Sequence, residues 1–471
     1  MTTDVTATHA EYDARLPEWT LSEDAAAGEI AVKGKGETYL PKPNPTDTSK
    51  ENNARYAQYL ARAVYYNATG RTLQTLLGTA FGEDPTADIT GAIDYALKDV
   101  DGAGVSIYQQ SQMALSHVLK AGRCGLLVDY PPTSVPASRA DMASGAIRAR
   151  IALYPAASVT NWRTVRIGSK TTLSMVVLRE AHETVDDFAM VIEDQYRVLR
   201  LTAAGYTQEV WRENEHDTWV LVEGPAVVLD SSRSPWREIP FVFCGAVNND
   251  DHCDPSPLYD IASLNIAHYR NSADYEEAAY LVGQVQPWMS GLTVEWRDHL
   301  QKSGIYFGSR APIMLPEGGA FGLAQATANG MAYEAMKQKE QQMIALGARL
   351  LQPGGAVKTA TEAQADSEAE MSVLSLAASN VSDAYTRALE CMAQFMGDGA
   401  GEYRIQQDYS GGQVDAQMLG SLLLTVQAGK MPDADLWAAM RQSGLIAPDR
   451  TDEMLREELD ASAGDLLLPP A

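Results

Sequence analysis

Cysteine is scarce in this 471-residue sequence, which contains only Cys124, Cys244, Cys253 and Cys391. They are widely spaced, and none forms a Cys-x-x-Cys pair. Small secreted domains that depend on disulfides carry many cysteines, so this pattern excludes a disulfide framework and predicts thiols in a reducing compartment. Cys124 and Cys244 lie in apolar, strand-like stretches, which favours a core position over a role as nucleophiles.

Long apolar runs are also missing. The sequence contains no stretch of about 18 apolar residues, so we expect no transmembrane helix and no membrane partner. The N-terminal stretch MTTDVTATHAEYDARLPEW holds no basic region followed by an apolar segment, so we expect no signal peptide.

Positive charge is in short supply. Lys and Arg number 37 against 62 Asp and Glu, which gives a formal net charge of −25. Tight wrapping of nucleic acid needs Lys and Arg against the phosphates, so the composition argues against that class of protein. An acidic surface is still compatible with DNA that slides past without being held.

Recognisable catalytic motifs are absent as well. There is no G-x-S-x-G, no H-E-x-x-H and no convincing dinucleotide loop. The stretch QPGGAVKT at 352–359 differs from a phosphate-binding loop in its spacing and follows a predicted helix, so it predicts a Gly-rich connection. His252, Cys253 and Asp254 are adjacent, whereas structural zinc sites space their ligands. We therefore predict no catalytic residues, no metal and no cofactor, and we expect that the protein is not an enzyme.

The residues present predict a large α+β protein, with 45% hydrophobic and 21% charged residues. The prolines of PKPNP predict an extended arm over 1–48, and two helices should follow, broken near Asn67–Gly70. EDPTADITGAIDYALKDVDGAG is read as a loop and a short helix. A further helix should stop at Gly122, before a buried strand in RCGLLVDYP.

Residues 148–245 are predicted to be mainly β, with a hairpin around Ala203–Gly205. Beyond Asp254 the pattern becomes helical, then irregular to β over 284–328, then helical again at 329–351. A long helix at 362–398 and three short helices near 415–428, 433–443 and 451–461 complete the expectation.

The stretch SPLYDIASLNIAHYRNSADYEEAAY begins at Ser256 and carries four chemically capable side chains. On a helix, Arg270, Asp274 and Glu277 fall on one side and predict an ion-paired face toward solvent or another subunit. His268 points elsewhere, so this helix alone does not hold a His–carboxylate dyad. Helix geometry favours a structural role over catalysis.

Several stretches in order resemble the portal, or head-to-tail connector, proteins of tailed bacteriophages, in their podovirus-type branch. The stretches are ENNARYAQYLARAVYYNATGRTLQTLLG, GRCGLLVDYP, TNW, REIPFVF and SPLYDIASLNIAHYRNSADYEEAAY. The resemblance spans roughly residues 50–400 and rests on the order of the motifs, since each motif alone is weak.

The resemblance implies a portal fold with a mixed α/β wing, a two-helix stem, a small β clip, a tunnel loop, a long helix and a helical crown. Its parts would be an N-terminal arm (1–48), a wing (49–254), a stem helix (255–283), the clip (284–328), a second stem helix (329–351), the tunnel loop (352–361), a long wing helix with linker (362–413), and a crown with tail (414–471).

The resemblance also implies site residues. The tunnel loop would contribute Gln352, Pro353, Gly354, Gly355, Lys358 and Thr359, with Lys358 as a ring of positive charge. Arg270, Asp274 and Glu277 would form a polar face of the stem toward neighbouring subunits or the channel. The clip would make contacts through Trp288, Trp296, Tyr306 and Phe307.

The implied function is that of a virion protein of the portal vertex, assembled in the host cytoplasm as a homo-oligomeric ring of about twelve copies. Its partners would be double-stranded DNA passing without sequence specificity, the terminase large subunit, capsid and scaffolding proteins, and tail or adaptor proteins. Two alternatives stay open. Another virion structural protein, such as a minor head protein, would lack the helix–β–helix–loop–helix order of 256–398, and an enzyme of an unreadable class would bind a metal or nucleotide.

Overall fold

A computed structural model of the chain describes residues 4–130, 147–230, 232–284, 286–303, 314–324, 330–351 and 372–407, with 450–456 and scattered positions from 432 to 446. The chain divides into two units, Met1–Ile405 and Gln406–Ala471. The first unit contains every element numbered below.

The first unit alternates helical and β-rich stretches. Its helices are α1 (Ala10–Ala27), α2 (Glu29–Gly34), α3 (Lys50–Arg62), α4 (Ala68–Ala80), α5 (Ile107–Ala121), α6 (Tyr259–Gly283), α7 (Val294–Ser303), α8 (Met331–Leu351) and α9 (Val373–Met396). Its strands are β1 (Thr86–Thr90), β2 (Arg123–Asp129), β3 (Arg150–Pro155), β4 (Val159–Ile167), β5 (Lys170–Asp186), β6 (Ala189–Thr202), β7 (Gly205–Glu213), β8 (Trp219–Val227), β9 (Phe241–Gly245), β10 (Gln286–Ser290), β11 (Ala320–Ala324) and β12 (Ala400–Arg404).

All strand pairs of the described residues are antiparallel. A three-stranded sheet has the order β3-β2-β9, and a five-stranded meander runs in sequence order from β4 to β8. Two separate two-stranded sheets pair β1 with β12 and β10 with β11. Helices and antiparallel sheets occupy separate stretches of the chain, which is the α+β class that the sequence predicted.

Local sequence signals are confirmed where they were strong. Asn67 caps α4 by accepting a hydrogen bond from the N–H of Gly70, so the predicted break between two helices lies where expected. Ser106 and Gln109 form a capping box at the start of α5, and Gly122 ends the helix in the left-handed region with φ of 75°. These signals act within one helical turn, which is why they can be read without the fold.

The predicted extended arm over 1–48 is wrong for residues 10–34, which form α1 and α2. The proline-rich run 41–45 restricts only its own backbone, whereas α1 is held by packing. Tyr12, Trp19 and Ala25 of α1 are buried, and the hydroxyl of Ser22 lies 3.3 Å from that of Ser256. Even Pro17 lies inside the helix. Tertiary contacts therefore override the local proline signal.

Two further elements were not expected. Residues 86–90, read as loop, form β1 and pair with β12 in the register Thr86↔Arg404. The stretch 284–328, read as irregular to β, contains the helix α7. The partner of β1 is more than 300 residues away in sequence, so no local pattern could have identified it.

The main core lies between the three-stranded sheet and the helices α5 and α9. Every residue of β2 is buried. On α9 the ring of Phe395 stacks against Trp236 at 3.8 Å and against Tyr130 at 5.5 Å between ring centroids. Stacked aromatic rings add to the free energy of burial, so this cluster ties α9 to the β-rich part of the chain.

In the second unit the structure describes few positions. Among them, Trp437 is largely buried and the guanidinium of Arg456 lies 5.8 Å from the centre of its ring. Residues 452–456 are helical, inside the predicted helix 451–461, and positions 434, 436, 437 and 440 are helical inside the predicted helix 433–443. The predicted helix 415–428 falls outside the described residues.

His117 of α5 is partly buried beside Lys120 and Glu23, with 18% of its side chain exposed. Burial, with a smaller repulsion from Lys120, lowers the pKa of His117 from 6.5 to about 4. Its Nδ1 lies 3.9 Å from a carboxylate oxygen of Glu23, too far for a hydrogen bond. The folded protein therefore holds this imidazole neutral at a pH at which the unfolded chain protonates it.

This difference makes folding sensitive to acid. Between pH 6.5 and about 4 the unfolded chain binds a proton at His117 that the folded chain does not, so the free energy of unfolding falls as pH falls. We expect the free energy of unfolding of His117→Gln to decrease by about 3 kcal/mol less than that of the parent protein over this pH range. Urea unfolding of both proteins at several pH values from 7 to 4.5 measures it. The exposed His216→Gln is the control, and parallel curves for His117→Gln and the parent protein would contradict the assignment.

Candidate functional site: the paired helices α6 and α8

Helix α6 is buried along its first part and exposed along its last. Pro255 and Pro257 precede it, which suits a chain entering a helix. Its buried residues are Ile261, Ala262, Asn265, Ile266, His268, Tyr269, Ser272 and Ala273. From residue 274 to 283 every side chain is partly or fully exposed. The helix is therefore fixed in the body at its N-terminal end, while its C-terminal end extends away from the core.

Helix α8 runs antiparallel to α6. The Nζ of Lys339 donates a hydrogen bond to Oδ1 of Asn271 at 2.7 Å, and the rings of Tyr333 and Tyr275 lie 6.0 Å apart. The contact partners show the direction, because a later residue of α6 meets an earlier residue of α8. The chain therefore turns back between the two helices. Met343 is the buried side chain of α8 among its described residues, and this helix is held mainly through its contact with α6.

A buried asparagine joins α6 to the connection between α3 and α4. The Oδ1 of Asn265 accepts hydrogen bonds from the hydroxyl of Tyr65 and from the N–H and hydroxyl of Thr69, each at 3.0 Å. Its Nδ2 donates to the carbonyl of Tyr66 at 2.8 Å. The side chain is fully buried beside Ile266, so these bonds form without competition from water. Sequence reasoning missed it, although a polar residue between the apolar positions 262, 266 and 269 was a signal.

Removing this side chain should be costly. We expect Asn265→Ala to lower the free energy of unfolding by about 3 kcal/mol, because several buried polar groups lose their partner. Asn271→Ala, which removes a partly buried bond to Lys339, should cost about 1 kcal/mol. Urea unfolding of the two variants measures the difference. Equal losses would show that the buried network around Asn265 is not special.

The predicted polar face of α6 forms its contacts within the chain. The Nε of Arg270 donates to the carbonyl of Tyr39 at 2.7 Å, and Asp274 accepts from the hydroxyl of Tyr59 at 2.7 Å. Burial, and then the bond to Asp274, raises the pKa of Tyr59 well above its usual value.

The third residue, Glu277, pairs with Arg62 and lies 3.8 Å from Arg55. Of the three residues, Glu277 forms ion pairs, with partners on α3, whereas Arg270 and Asp274 form hydrogen bonds to uncharged groups. Arg270 and Asp274 are also exposed to solvent, and contacts of this face with a neighbouring subunit or a channel stay a prediction. Their closest partners lie more than 200 residues away in sequence, which the helical wheel could not show.

His268 lies on a different side of α6, as helix geometry predicted, yet it meets a carboxylate. Its Nε2 lies 3.3 Å from Oε1 of Glu340 on α8, and only 3% of its side chain is exposed. The Nδ1 of the same ring is buried without a hydrogen-bond partner among the described residues. A His–carboxylate pair does exist, but it needs two helices, and its burial suits a tie between α6 and α8.

A groove of about 550 Å³ lies between α4 and α8. Most of its wall is apolar or small, including Leu76, Met343 and Ile344, with Arg71 and Glu340 as its charged groups. Ile344 is 73% exposed. The groove is therefore a hydrophobic depression with two charges of opposite sign, and it borders the His268–Glu340 pair.

The exposed ends of α6 and α8 are joined by the segment that holds β10, α7 and β11. Strands β10 and β11 pair antiparallel, with Trp288 opposite Gly322. A side chain at position 322 would come within 2.7 Å of the Trp288 ring, so the glycine leaves room for the indole. We call β10, α7 and β11 the tip.

Of the predicted contact residues, two lie on the described part of the tip. Trp288 is 45% exposed on β10, and Trp296 is half-buried on α7 with its ring 6.0 Å from that of His299. Tyr306 and Phe307 fall outside the described residues. Val294 and Leu323 are exposed as well, so the tip presents apolar surface to its surroundings.

The predicted tunnel-loop residues also fall outside the described residues. They are Gln352, Pro353, Gly354, Gly355, Lys358 and Thr359. The loop would begin where α8 ends and finish before α9, and these flanking helices are both present.

In the part of the chain that the structure describes, no cluster of three or more His, Cys, Asp or Glu side chains is arranged to hold a metal ion. No described helix is both long and apolar enough to cross a membrane. Cys124 and Cys244 are fully buried opposite each other on β2 and β9, in line with the predicted core position.

Comparison with known proteins gives one family model, a domain of unknown function, DUF4055, over residues 257–396. The match begins at the entrance to α6 and ends with α9. No curated protein matches the chain.

Several solved structures share low similarity with most of the chain. The neck of an empty gene transfer agent (GTA) particle, computed with C6 symmetry, is 14% identical, with a TM-score of 0.39 over 94% of this chain and 100% of that one. The virion of a native GTA particle has the same identity and TM-score over 88% and 98%. The neck of a native GTA particle, computed with C12 symmetry, is 14% identical with a TM-score of 0.37 over 87% and 98%. At TM-scores below 0.5 these likenesses do not bear on what this chain does.

Proposed function

We propose that this chain is a portal protein of a tailed-phage-like particle. It is a virion structural protein that forms a ring of about twelve copies at one vertex of the head, and DNA is packaged and ejected through the ring. The observation that carries the proposal is the arrangement of α6, the tip and α8. Two antiparallel helices are fixed in the body at one end and joined by a small β element at the other, in the order that the sequence resemblance implies.

In this proposal α6 and α8 form the stem and the tip is the clip. Residues 49–254 form the wing, 352–361 the tunnel loop, 362–413 the long wing helix with its linker, and 414–471 the crown. Lys358 supplies one positive charge per copy at the narrowest part of the channel, where it touches phosphates transiently. The stem face of Arg270, Asp274 and Glu277 holds the arm and the wing to the stem inside each copy.

The acidity of the chain fits a channel for DNA. Each copy carries a net charge of −25, and a ring multiplies this into a field that repels phosphates from most of its surface. DNA then passes without adhering. The ring uses heterologous contacts, in which different faces of neighbouring copies meet and the rotation closes.

The proposed partners follow from the same role. The exposed aromatic and aliphatic residues of the tip bind the terminase large subunit during packaging and tail or adaptor proteins afterwards. Capsid and scaffolding proteins contact the ring at the vertex, after assembly in the host cytoplasm. The chain itself carries out no catalysis.

The ring is the first test. Negative-stain images of the purified full-length chain should show rings with a central hole and about twelve copies. Mass photometry over a range of protein concentrations and salt should show the same species. Only monomers or dimers under all conditions, or a species without a hole, would favour a minor head protein or another virion component.

The role of the tip needs a separate test. Replacing residues 286–324 with a short Gly-Ser linker should leave the ring intact, because the tip pairs only with itself among the described strands. It should abolish DNA packaging by removing the docking site for the motor. Replacing the exposed β7–β8 turn, 214–217, with Gly-Ser is the matched control and should leave packaging unchanged. Normal packaging without the tip would overturn its assignment as the clip.

A further inference from the structure

The hairpin formed by β5 and β6 is longer than the sheet to which it belongs. Strand β4 pairs with β5 only as far as Leu178, and β7 pairs with β6 only from Gln195 onward. Between these limits, β5 and β6 continue to pair with each other up to Asp186↔Ala189. Residues 179–194 are therefore a two-stranded ribbon with no further strand beside it in the described part of the chain. We call 181–194 the ribbon tip.

The base of this ribbon is fixed. The carboxylate of Glu180 accepts a hydrogen bond from Nε of Arg197 at 2.7 Å and from the hydroxyl of Tyr154 at 2.6 Å. Burial opposes the charge on Glu180, but Arg197 and the hydrogen bonds outweigh it and lower the pKa of that carboxyl. A partly buried, hydrogen-bonded ion pair holds its partners in one geometry, so the ribbon leaves the sheet from a defined position.

The ribbon tip exposes five large apolar side chains within residues 185–192. The exposed fractions are 68% for Val185, 98% for Phe188, 59% for Met190, 49% for Val191 and 60% for Ile192. Val185 pairs directly with Met190, and Ile192 follows Met190 by two residues, so these three share one face of the ribbon. Contiguous apolar surface of this kind marks an interaction site rather than ordinary exposure.

Phe188 is the most exposed of these side chains. It lies in the two-residue turn with Asp187, whose φ of 52° is a conformation that Asp tolerates. Hairpin turns of this length favour Gly or Asn, and an aromatic ring contributes nothing to the turn itself. A fully exposed phenylalanine at the end of a ribbon can enter a pocket on another molecule and act as an anchor of the interface.

The charge around the apolar face narrows the class of partner. Glu183, Asp187, Glu193 and Asp194 are all exposed, and none forms an ion pair with a described residue. Within the ribbon tip, His182 is the sole side chain that protonation can make positive. This distribution repels phosphate, so it opposes contact with DNA or with an anionic membrane. It complements a protein surface in which an apolar pocket is surrounded by Lys and Arg.

We propose that the ribbon tip docks into a different protein of the same particle, through an apolar pocket with a basic rim that receives Phe188. A second copy of this chain is a poorer match, because its net charge is −25. The proposal rests on the proposed function only in assigning the partner to the particle. The docking surface itself follows from the ribbon's geometry, exposure and charge.

Photo-crosslinking tests this directly. The full-length chain carrying p-benzoylphenylalanine in place of Phe188 is produced in cells that assemble the particle, and the crosslinked peptide is mapped by mass spectrometry. The matched control carries the same probe in place of Asp217, in the exposed β7–β8 turn of the same sheet. We expect crosslinking at position 188 to one site on another particle protein, with apolar, Lys and Arg residues around it and a yield about tenfold above the control.

Charge reversal then tests the electrostatic part. The double change Glu183→Lys with Glu193→Lys should lower the yield at position 188 about fivefold or more, while Asp217→Lys should leave it unchanged. Equal yields at 188 and 217, a crosslink to a second copy of this chain, an acidic receiving surface, or a higher yield after charge reversal would each overturn the proposal. Negative-stain images of the parent protein and of Phe188→Asp test the portal function separately. The ribbon tip is outside the helix pair, so both proteins should form rings, and absence of rings in the parent protein would count against the portal function alone.

Discussion

The position of α6 depends on one buried side chain. Asn265 satisfies Tyr65, Tyr66 and Thr69 at the connection between α3 and α4, so it fixes both helices against α6 at a single point. An amide in the core is stable only when both its oxygen and its nitrogen find partners, which makes this contact demanding in geometry. The ion pairs along α3, the groove between α4 and α8, and the direction of the exposed end of α6 all depend on that alignment.

The exposed end of α6 shows a second constraint, which is the division of one helix between two tasks. Four residues of its first part are buried with Tyr39, Leu40 and Tyr59 in a single cluster: Ala262, Ile266, Tyr269 and Ala273. Beyond that point Asp274 and Glu277 contact α3, whereas Tyr275, Tyr280 and Leu281 keep much of their surface exposed. One continuous helix is buried at its first end and exposed at its last. Because its backbone hydrogen bonds are unbroken, it fixes the start of the tip relative to the body.

The acidic surface and the exposed apolar side chains affect different contacts of the molecule. The acidic residues repel phosphates, whereas several of the exposed apolar side chains lie on the tip and on the ribbon tip. Each of these two groups is carried on a two-stranded antiparallel element beyond the larger sheets. Apolar surface carried on such an element marks a site at which another protein can bind.

The sequence by itself determined the local elements. It predicted the break at Asn67, the capped end at Gly122, the buried strand after it and the hairpin near 203, because caps, turns and periodicity act over a few residues. It also predicted that His268 and the carboxylates of α6 lie on different sides of one helix. Only the tertiary structure decided which groups meet: β1 with β12, His268 with Glu340, and Arg270, Asp274 and Glu277 with α3 and the segment before it. Those partners are tens to hundreds of residues apart, and a contact of that kind arises from packing whole elements together, which no local pattern records.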